Sequence, residues 1–360
     1  MVPTDPTNTM FKKYHFFLVL AFVYIGGDLE AQDQHFSQFY ASPLTLNPAL
    51  TGAFNGSYRF GMNYRDQGRS LVEVPYSTIS AAIDVRFGLD SRRRARRDKA
   101  GVGMVFYNDR SQSVNFFTNY IGVSGAFHKA LSKNEDQYLS IGFQGGVGQR
   151  NVNYDNFSFD DQFDGSSNFD LPSGEVLPEN NFSYSDLATG INYSYTPEGR
   201  IGFYLGAGLH HILEPQISFY TLAEEPGTSL LYRKYTAHIG LKIPVGNKVE
   251  FSPRALAYFQ GPHTAYNGGA NLRFEFGSKD NAAFHIGGWG RLTTNVASTI
   301  SLDSAVFFTG LEFNSFLVGF SYDAKLLSIS TGGRSQGALE FSITYIGNYD
   351  NSADLMCPAF

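Results

Sequence analysis

The sequence predicts an all-β chain: a transmembrane antiparallel β-barrel of about fourteen strands, preceded by a non-repetitive N-terminal segment. Three observations carry this reading. Apolar and polar residues alternate with period two through most of the chain, and the connections between the alternating runs are by turns short and long. Beyond residue 31 no apolar stretch reaches the roughly 18 residues that a helical membrane span needs.

A β-strand sends successive side chains to opposite faces, so strict alternation means one apolar and one polar face. Ile79, Ala81, Ile83, Val85 and Phe87 alternate with Ser80, Ala82, Asp84 and Arg86. Phe60, Met62 and Tyr64 alternate with Arg59, Gly61, Asn63 and Arg65. The pattern returns at 187–195, 201–210, 236–243 and 339–345, and each run approaches the roughly 9 to 11 residues of a tilted membrane strand. Phe, Tyr, Ile, Leu and Val form the face expected to meet lipid, with glycine and small polar residues on the other. A soluble β-sandwich alternates too. The aromatic residues that close many runs, Tyr64, Phe87, Tyr195, Phe276 and Tyr345, suit interfacial girdles and favour the barrel.

The connections form an independent test, since bacterial barrels have short periplasmic turns and longer outer loops. Residues 196–199, 245–248, 277–280 and 314–315 are tight and rich in turn formers, whereas 151–185, 212–234, 293–303 and 323–336 are long. An even strand number then places both chain ends on the short-turn side.

Ahead of this pattern, Lys12 and Lys13 precede an apolar run from Phe16 to Ile25 and a small residue, Ala31, before Gln32. That is a secretory signal peptide over 1–31, too short in its apolar part to span a bilayer. Residues 32–55, with Pro43, Asn47, Pro48 and Gly52, read as a turn-rich segment lying under or inside the barrel. The barrel is expected over 56–346 and a C-terminal periplasmic tail over 347–360.

Composition fits this plan. Aromatics make up 16% of the chain, glycines number 38, and charged residues are 17%, below the usual figure of about 25%. The net charge of −6 argues against a nucleic-acid partner. Cys357 is the single cysteine, which excludes an internal disulfide framework and a zinc cluster built on cysteine. No phosphate-cradling loop is present, no spacing selects a serine–histidine pair, and no cofactor is implied. His210 and His211 are adjacent and in a strand would point to opposite faces, so they would not chelate one ion together.

Two constellations are candidate partner contacts. Arg92, Arg93, Arg94, Arg96 and Arg97 fall in an expected periplasmic turn suited to an acidic partner or lipid headgroups. The long segment after Asn151 carries seven acids and no lysine or arginine, with phenylalanines interleaved. Phe157, Phe159, Asp160, Asp161, Phe163 and Asp164 are its candidate extracellular contacts, although the spacing lacks the distal glutamate of a calcium loop. A solvated turn and a plainly soluble surface loop are the simpler readings of the two.

The opening Phe36-Ser37-Gln38-Phe39-Tyr40, then Pro43, Asn47-Pro48-Ala49 and Gly52, resembles the start of the PorP/SprF family of type IX secretion system outer-membrane proteins from Bacteroidetes. Tyr64-Arg65, Pro75-Tyr76-Ser77-Thr78, Tyr107-Asn108-Asp109, Leu209-His210-His211 and Leu339-Glu340-Phe341 are similar to its later segments. Gly68 stands where the family usually has tryptophan, and Ala359 where it commonly has arginine. The resemblance implies an outer-membrane barrel serving the secretion and gliding machinery, or holding the C-terminal domain of a secreted adhesin. The implied partners are secreted cargo, other secretion-system subunits and outer-membrane lipid. The rival expectation is a porin or hydrophobic-solute transporter, which requires an open lumen.

Overall fold

The computed structural model describes residues 33, 35–68, 75–89, 97–111, 115–155, 157–166, 168–219, 230–276, 282–294, 300–326 and 337–349. The expected signal peptide, and the expected tail beyond Tyr349, lie outside these residues.

Fourteen strands are formed: β1 (Tyr58–Gln67), β2 (Tyr76–Leu89), β3 (Asp98–Ser111), β4 (Phe116–Ala130), β5 (Gln137–Val152), β6 (Asn181–Tyr195) and β7 (Gly202–His210) in the first half. The second half holds β8 (Lys234–Pro244), β9 (Val249–Gln260), β10 (His263–Phe276), β11 (Ala282–Thr294), β12 (Ile300–Phe313), β13 (Phe316–Lys325) and β14 (Ala338–Gly347). Each strand pairs antiparallel with its sequence neighbours, and β14 returns to β1 to close the barrel. Their register runs from Tyr58 opposite Gly347 to Gln67 opposite Ala338. Closure gives every strand two partners and removes free edges. Among the described residues no helix is long and apolar enough to cross a membrane.

The alternation resolves into two environments. Phe143 and Phe307 on the outer face are 62% and 65% exposed, while Asp84 and Glu340 on the inner face are each 1% exposed. Large apolar side chains outside and buried ionisable ones inside invert the arrangement of a water-soluble protein. Aromatic side chains gather near both ends: at one, Tyr345 packs on Phe316 at 4.6 Å and on Tyr58 at 5.9 Å, and Tyr195 on Phe203 at 5.8 Å; at the other, Phe182 packs on Phe219 at 4.9 Å and Phe259 on Tyr266 at 5.9 Å.

The end joined by residues 153–180, 211–233 and 326–337 is the long-loop rim, and the end joined by 131–136, 196–201, 245–248 and 314–315 is the short-turn rim. The expected alternation of lengths is not strict. Gly261 and Pro262 alone join β9 to β10 on the long-loop rim, and residues 112–115 join β3 to β4 there. An antiparallel pair needs only a two-residue hairpin, and Gly261 has the positive φ (+52°) that such a turn uses.

Residues 35–57 form a strap inside the barrel. It is built from a 3-10 turn at Phe39–Ala41, a single α-helical turn at Pro43–Leu46 and a second 3-10 turn at Pro48–Leu50. Leu44, Ala49, Leu50 and Phe54 are fully buried. The strap meets the wall backbone to backbone: a Cβ on Gly101 would collide with the Thr51 carbonyl and lie 2.7 Å from the Gly52 Cα. Another tight seat is Gly190, where a Cβ would overlap the side-chain oxygen of Asn47. Glycines on the inner face thus serve to admit a segment, not only to narrow the barrel.

Both ends of the sheet, Tyr58 and Gly347, sit at the short-turn rim, as an even strand number requires. The described N-terminal end does not. His35 contacts Tyr258 near the long-loop end of β9, so the strap runs the length of the lumen.

These contacts predict that Gly190→Val displaces Asn47 and costs about 1–3 kcal/mol by overpacking. Gly145→Val, whose Cβ meets only Leu187 Cδ2 at 3.5 Å, should cost within about 0.5 kcal/mol. Urea unfolding of protein refolded in detergent compares the two.

Candidate functional site

The residues that carry the family likeness at the N-terminus form one connected system inside the lumen. Ser37, Gln38 and Asn47 are fully buried and Phe36 is nearly so. Sequential backbone N–H groups of Ser37 and Gln38 donate to the two oxygens of Glu340, at 2.8 and 2.9 Å. The Ser37 hydroxyl donates to Asp323 at 2.6 Å and accepts from Arg65 at 2.7 Å. Arg65 also pairs with Asp323 at 2.9 Å and with Glu340 at 3.1 Å, and Arg291 pairs with Asp323 at 3.1 Å. The Gln38 side chain donates to Ser321 at 3.1 Å and accepts from Ser342 at 2.6 Å.

Two arginines and two carboxylates therefore balance in charge around the leading end of the strap. Burying a charge is tolerated only when it is paired and hydrogen-bonded, and here each arginine and carboxylate has both. Arg65, Arg291, Asp323 and Glu340 lie on β1, β11, β13 and β14, so the strap end also ties the closing strands together. Tyr40 continues the system: Arg254 lies over its ring at 4.4 Å, and it packs edge-on against Trp289 and Phe308.

Further along, Asn47 donates to the carbonyls of Ile191 (3.0 Å) and Ala207 (3.2 Å) while its oxygen accepts from Ala49 N–H at 2.9 Å. Pro43 and Pro48 open the two helical turns on either side of it, where a missing N–H costs nothing. Gly52, at φ +74°, donates its N–H to Asp84 at 2.7 Å, and Asp84 is held two-pronged by Arg59 at 2.9 and 2.7 Å. His128 bonds the Thr51 carbonyl at 2.8 Å, which requires Nε2 to carry the proton and Nδ1 to accept from Ser140. Arg86 donates to the Phe54 carbonyl at 2.7 Å beside the short-turn rim.

The other sequence candidates lie elsewhere. Of the arginine run, Arg92, Arg93, Arg94 and Arg96 fall outside the described residues; Arg97 is 59% exposed in its side chain and 3.6 Å from Glu135. In the 153–180 loop, Asp160, Asp161 and Asp164 do not converge on a common point. Asp161 accepts from the Ser173 hydroxyl (2.9 Å) and Gly174 N–H (2.6 Å), and Asp164 accepts from Ser166 and Asn168 N–H. These carboxylates hold the loop's own backbone, as short acidic side chains do in turns. Phe163 and Phe169 pack on each other at 5.3 Å yet remain 44% and 46% exposed, while Phe157 and Phe159 are half-buried.

His210 and His211 depart from the expected opposite faces. His211 follows the end of β7 with φ +56°, which turns its ring back to Asp186 at 3.0 Å, and both histidines are buried. Of the charges that fix the strap, Arg65 and Glu340 show in the sequence only as polar members of alternating runs; Asp323 opens an expected long connection but lies in β13, and Arg291 belongs to none of those runs. Their convergence depends on the barrel closing.

Removing Arg65 leaves two buried carboxylates with one arginine. Arg65→Met is therefore expected to lower unfolding stability by about 3–5 kcal/mol, and the double change Arg65→Met with Glu340→Gln, which restores charge balance, to recover part of it. Urea unfolding in detergent is the measurement; a loss under about 1 kcal/mol for Arg65→Met would show that the strap end is held by something else.

No curated protein matches this chain. Three solved structures that resemble it are low in identity. The monoaromatic hydrocarbon channel CymD is 11% identical with a TM-score of 0.46, over 86% of this chain and 93% of that one. The deltaS2 mutant of the monoaromatic hydrocarbon channel TodX is 9% identical with a TM-score of 0.48, over 86% and 94%. A Pseudomonas aeruginosa FadL homologue is 10% identical with a TM-score of 0.44, over 83% and 92%. At these values the likenesses carry no argument about function. The sequence family is another matter: the model of the type IX secretion system membrane protein PorP/SprF matches residues 28–345, and the chain belongs to that family.

Proposed function

We propose that this protein sits in the outer membrane as a docking component of type IX secretion. It binds a cargo or adhesin C-terminal domain, or a machinery subunit, and does not conduct solutes. The observation that carries this reading is the strap that lies inside the lumen. The strap runs through the barrel from the long-loop rim to the short-turn rim and is hydrogen-bonded to the wall at Asp84, Ser124, Ala207, Thr236 and Glu340. The apolar outer face supports the membrane setting. What remains for function is the pair of rims.

Each rim has its own chemistry. The long-loop rim offers exposed Phe163, Phe169, Leu171, Val176 and Leu177 on a loop ordered by its own carboxylates. Burial of such side chains supplies affinity, and the surrounding acids orient a basic partner. On the short-turn rim the arginine run from Arg92 to Arg97 suits an acidic partner or lipid phosphate.

Two measurements test this. In planar bilayers the purified protein should show no steady large conductance; a stable open channel without partners would favour the transporter reading. A pull-down of the tagged protein from its native membrane should recover one large secreted protein or a set of secretion subunits. Replacing Arg92, Arg93, Arg94, Arg96 and Arg97 by serine should reduce recovery of a short-turn-side partner, more so at low salt, and leave a long-loop-side partner bound.

A further inference from the structure

The strap has a direction, and the direction has a consequence for topology. Its leading residues are held at the long-loop end of the strands: Ser37 bonds to Arg65, two residues before the end of β1, and Ser37 and Gln38 both bond to Glu340, two residues after the start of β14. His35 and Phe36 line a small cavity of about 40 Å³ with Lys234, the first residue of β8, and with Tyr258 near the end of β9. The trailing residues lie at the opposite rim. Phe54 takes a hydrogen bond from Arg86 near the end of β2, Leu50 takes one from Arg59 at the start of β1, and Ser57 N–H donates to Gly347 at 2.8 Å.

Both ends are held by polar and apolar contacts together. The leading end rests on the neutral network of Arg65, Arg291, Asp323 and Glu340 and on Phe39 and Tyr40 packed with Trp289 and Phe308. The middle and trailing part rests on buried Leu44, Leu50 and Phe54, on backbone contact with Gly101 and Gly142, and on the hydrogen bonds that Asp84, Ser124, His128 and Arg86 make to Gly52, Thr51 and Phe54.

We infer that the strap is threaded with its N-terminal end toward the cell exterior, so that His35 and Phe36 belong to the same outward mouth as the long loops. This rests on the proposed orientation, long loops outward. A partner docking on that mouth then meets the leading end of the strap, and the short-turn side meets the trailing end. The described leading end of the strap, His35, is at the rim opposite to the one where β1 begins.

The test is labelling with a membrane-impermeant maleimide, in intact cells and after outer-membrane permeabilisation, on full-length protein carrying Cys357→Ser. Single cysteines are placed by His35→Cys in the strap, Ser158→Cys in the long loop and Glu198→Cys in a short turn; Ser158 and Glu198 are exposed. The expected result is labelling of the Ser158→Cys and His35→Cys proteins in intact cells and of the Glu198→Cys protein only after permeabilisation. Labelling of the Ser158→Cys protein in intact cells with the His35→Cys protein reacting only after permeabilisation, or in neither state, overturns the threading. If instead the Glu198→Cys protein labels in intact cells and the Ser158→Cys protein does not, the orientation fails. The threading then stands only if the His35→Cys protein still follows the Ser158→Cys protein. A second pair, Thr51→Cys with Ser124→Cys, replaces hydroxyls 2.8 Å apart and reports by oxidative cross-linking that the strap is seated in each variant; a loss of the cross-link in otherwise folded barrel overturns the inference as well.

Discussion

The rest of the molecule depends on the balance of charge in the closed lumen. Closing fourteen strands satisfies the backbone, but it also gathers the polar side of every strand into one enclosed space. Arg59, Arg65, Asp84, Arg291, Asp323 and Glu340 are all nearly without solvent contact there. Such groups need partners at hydrogen-bond distance, and the wall alone does not supply them all. The strap does: Gly52 and Leu50 complete the Arg59–Asp84 pair, and Ser37 and Gln38 complete the four-charge network. Barrel and strap are therefore one folding unit in the sense that each satisfies polar groups of the other.

That mutual dependence explains why the N-terminal residues are so specific in type. Ser37 must donate one hydrogen bond and accept others, which an alanine or valine would not do, and Gln38 must donate and accept at once to reach Ser321, Glu340 and Ser342. Asn47 performs the same double task across two strands, with Gly190 cleared to make room. A hydrophobic plug of equal volume would fill the space and leave the charges stranded.

Much of the fold was legible because period-two alternation is a local signal. Phe60, Met62 and Tyr64 against Arg59, Asn63 and Arg65 announce a strand with two solvents without any knowledge of its neighbours. The turn-rich segment was legible from Pro43, Pro48 and Gly52, but its threading was not, since that depends on which glycines of distant strands lie beneath it. The same limit hid the Arg65–Glu340 pair, whose members are 275 positions apart and meet only because β14 returns to β1. His211 shows the opposite failure: a one-residue change of backbone conformation at the end of a strand was enough to turn its ring to the face that strand alternation denied it.

Charge in the long loop is the last step. Seven acids without a base look in sequence like a binding surface, yet Asp161 and Asp164 spend their acceptors on Ser173, Gly174, Ser166 and Asn168. Carboxylates engaged in capping the loop's backbone have fewer acceptor sites left for a partner, so they act mainly through orientation and approach rate. The loop's exposed side chains include two kinds: apolar Phe163, Phe169, Leu171 and Val176, and acidic Asp155, Asp160, Asp170, Glu175 and Glu179. In the proposed docking role, the apolar part of this surface would bind by burial of a partner's side chains. The loop that presents it is anchored on β5 and β6, which pair along their whole length from Gln137 opposite Tyr195 to Asn151 opposite Asn181.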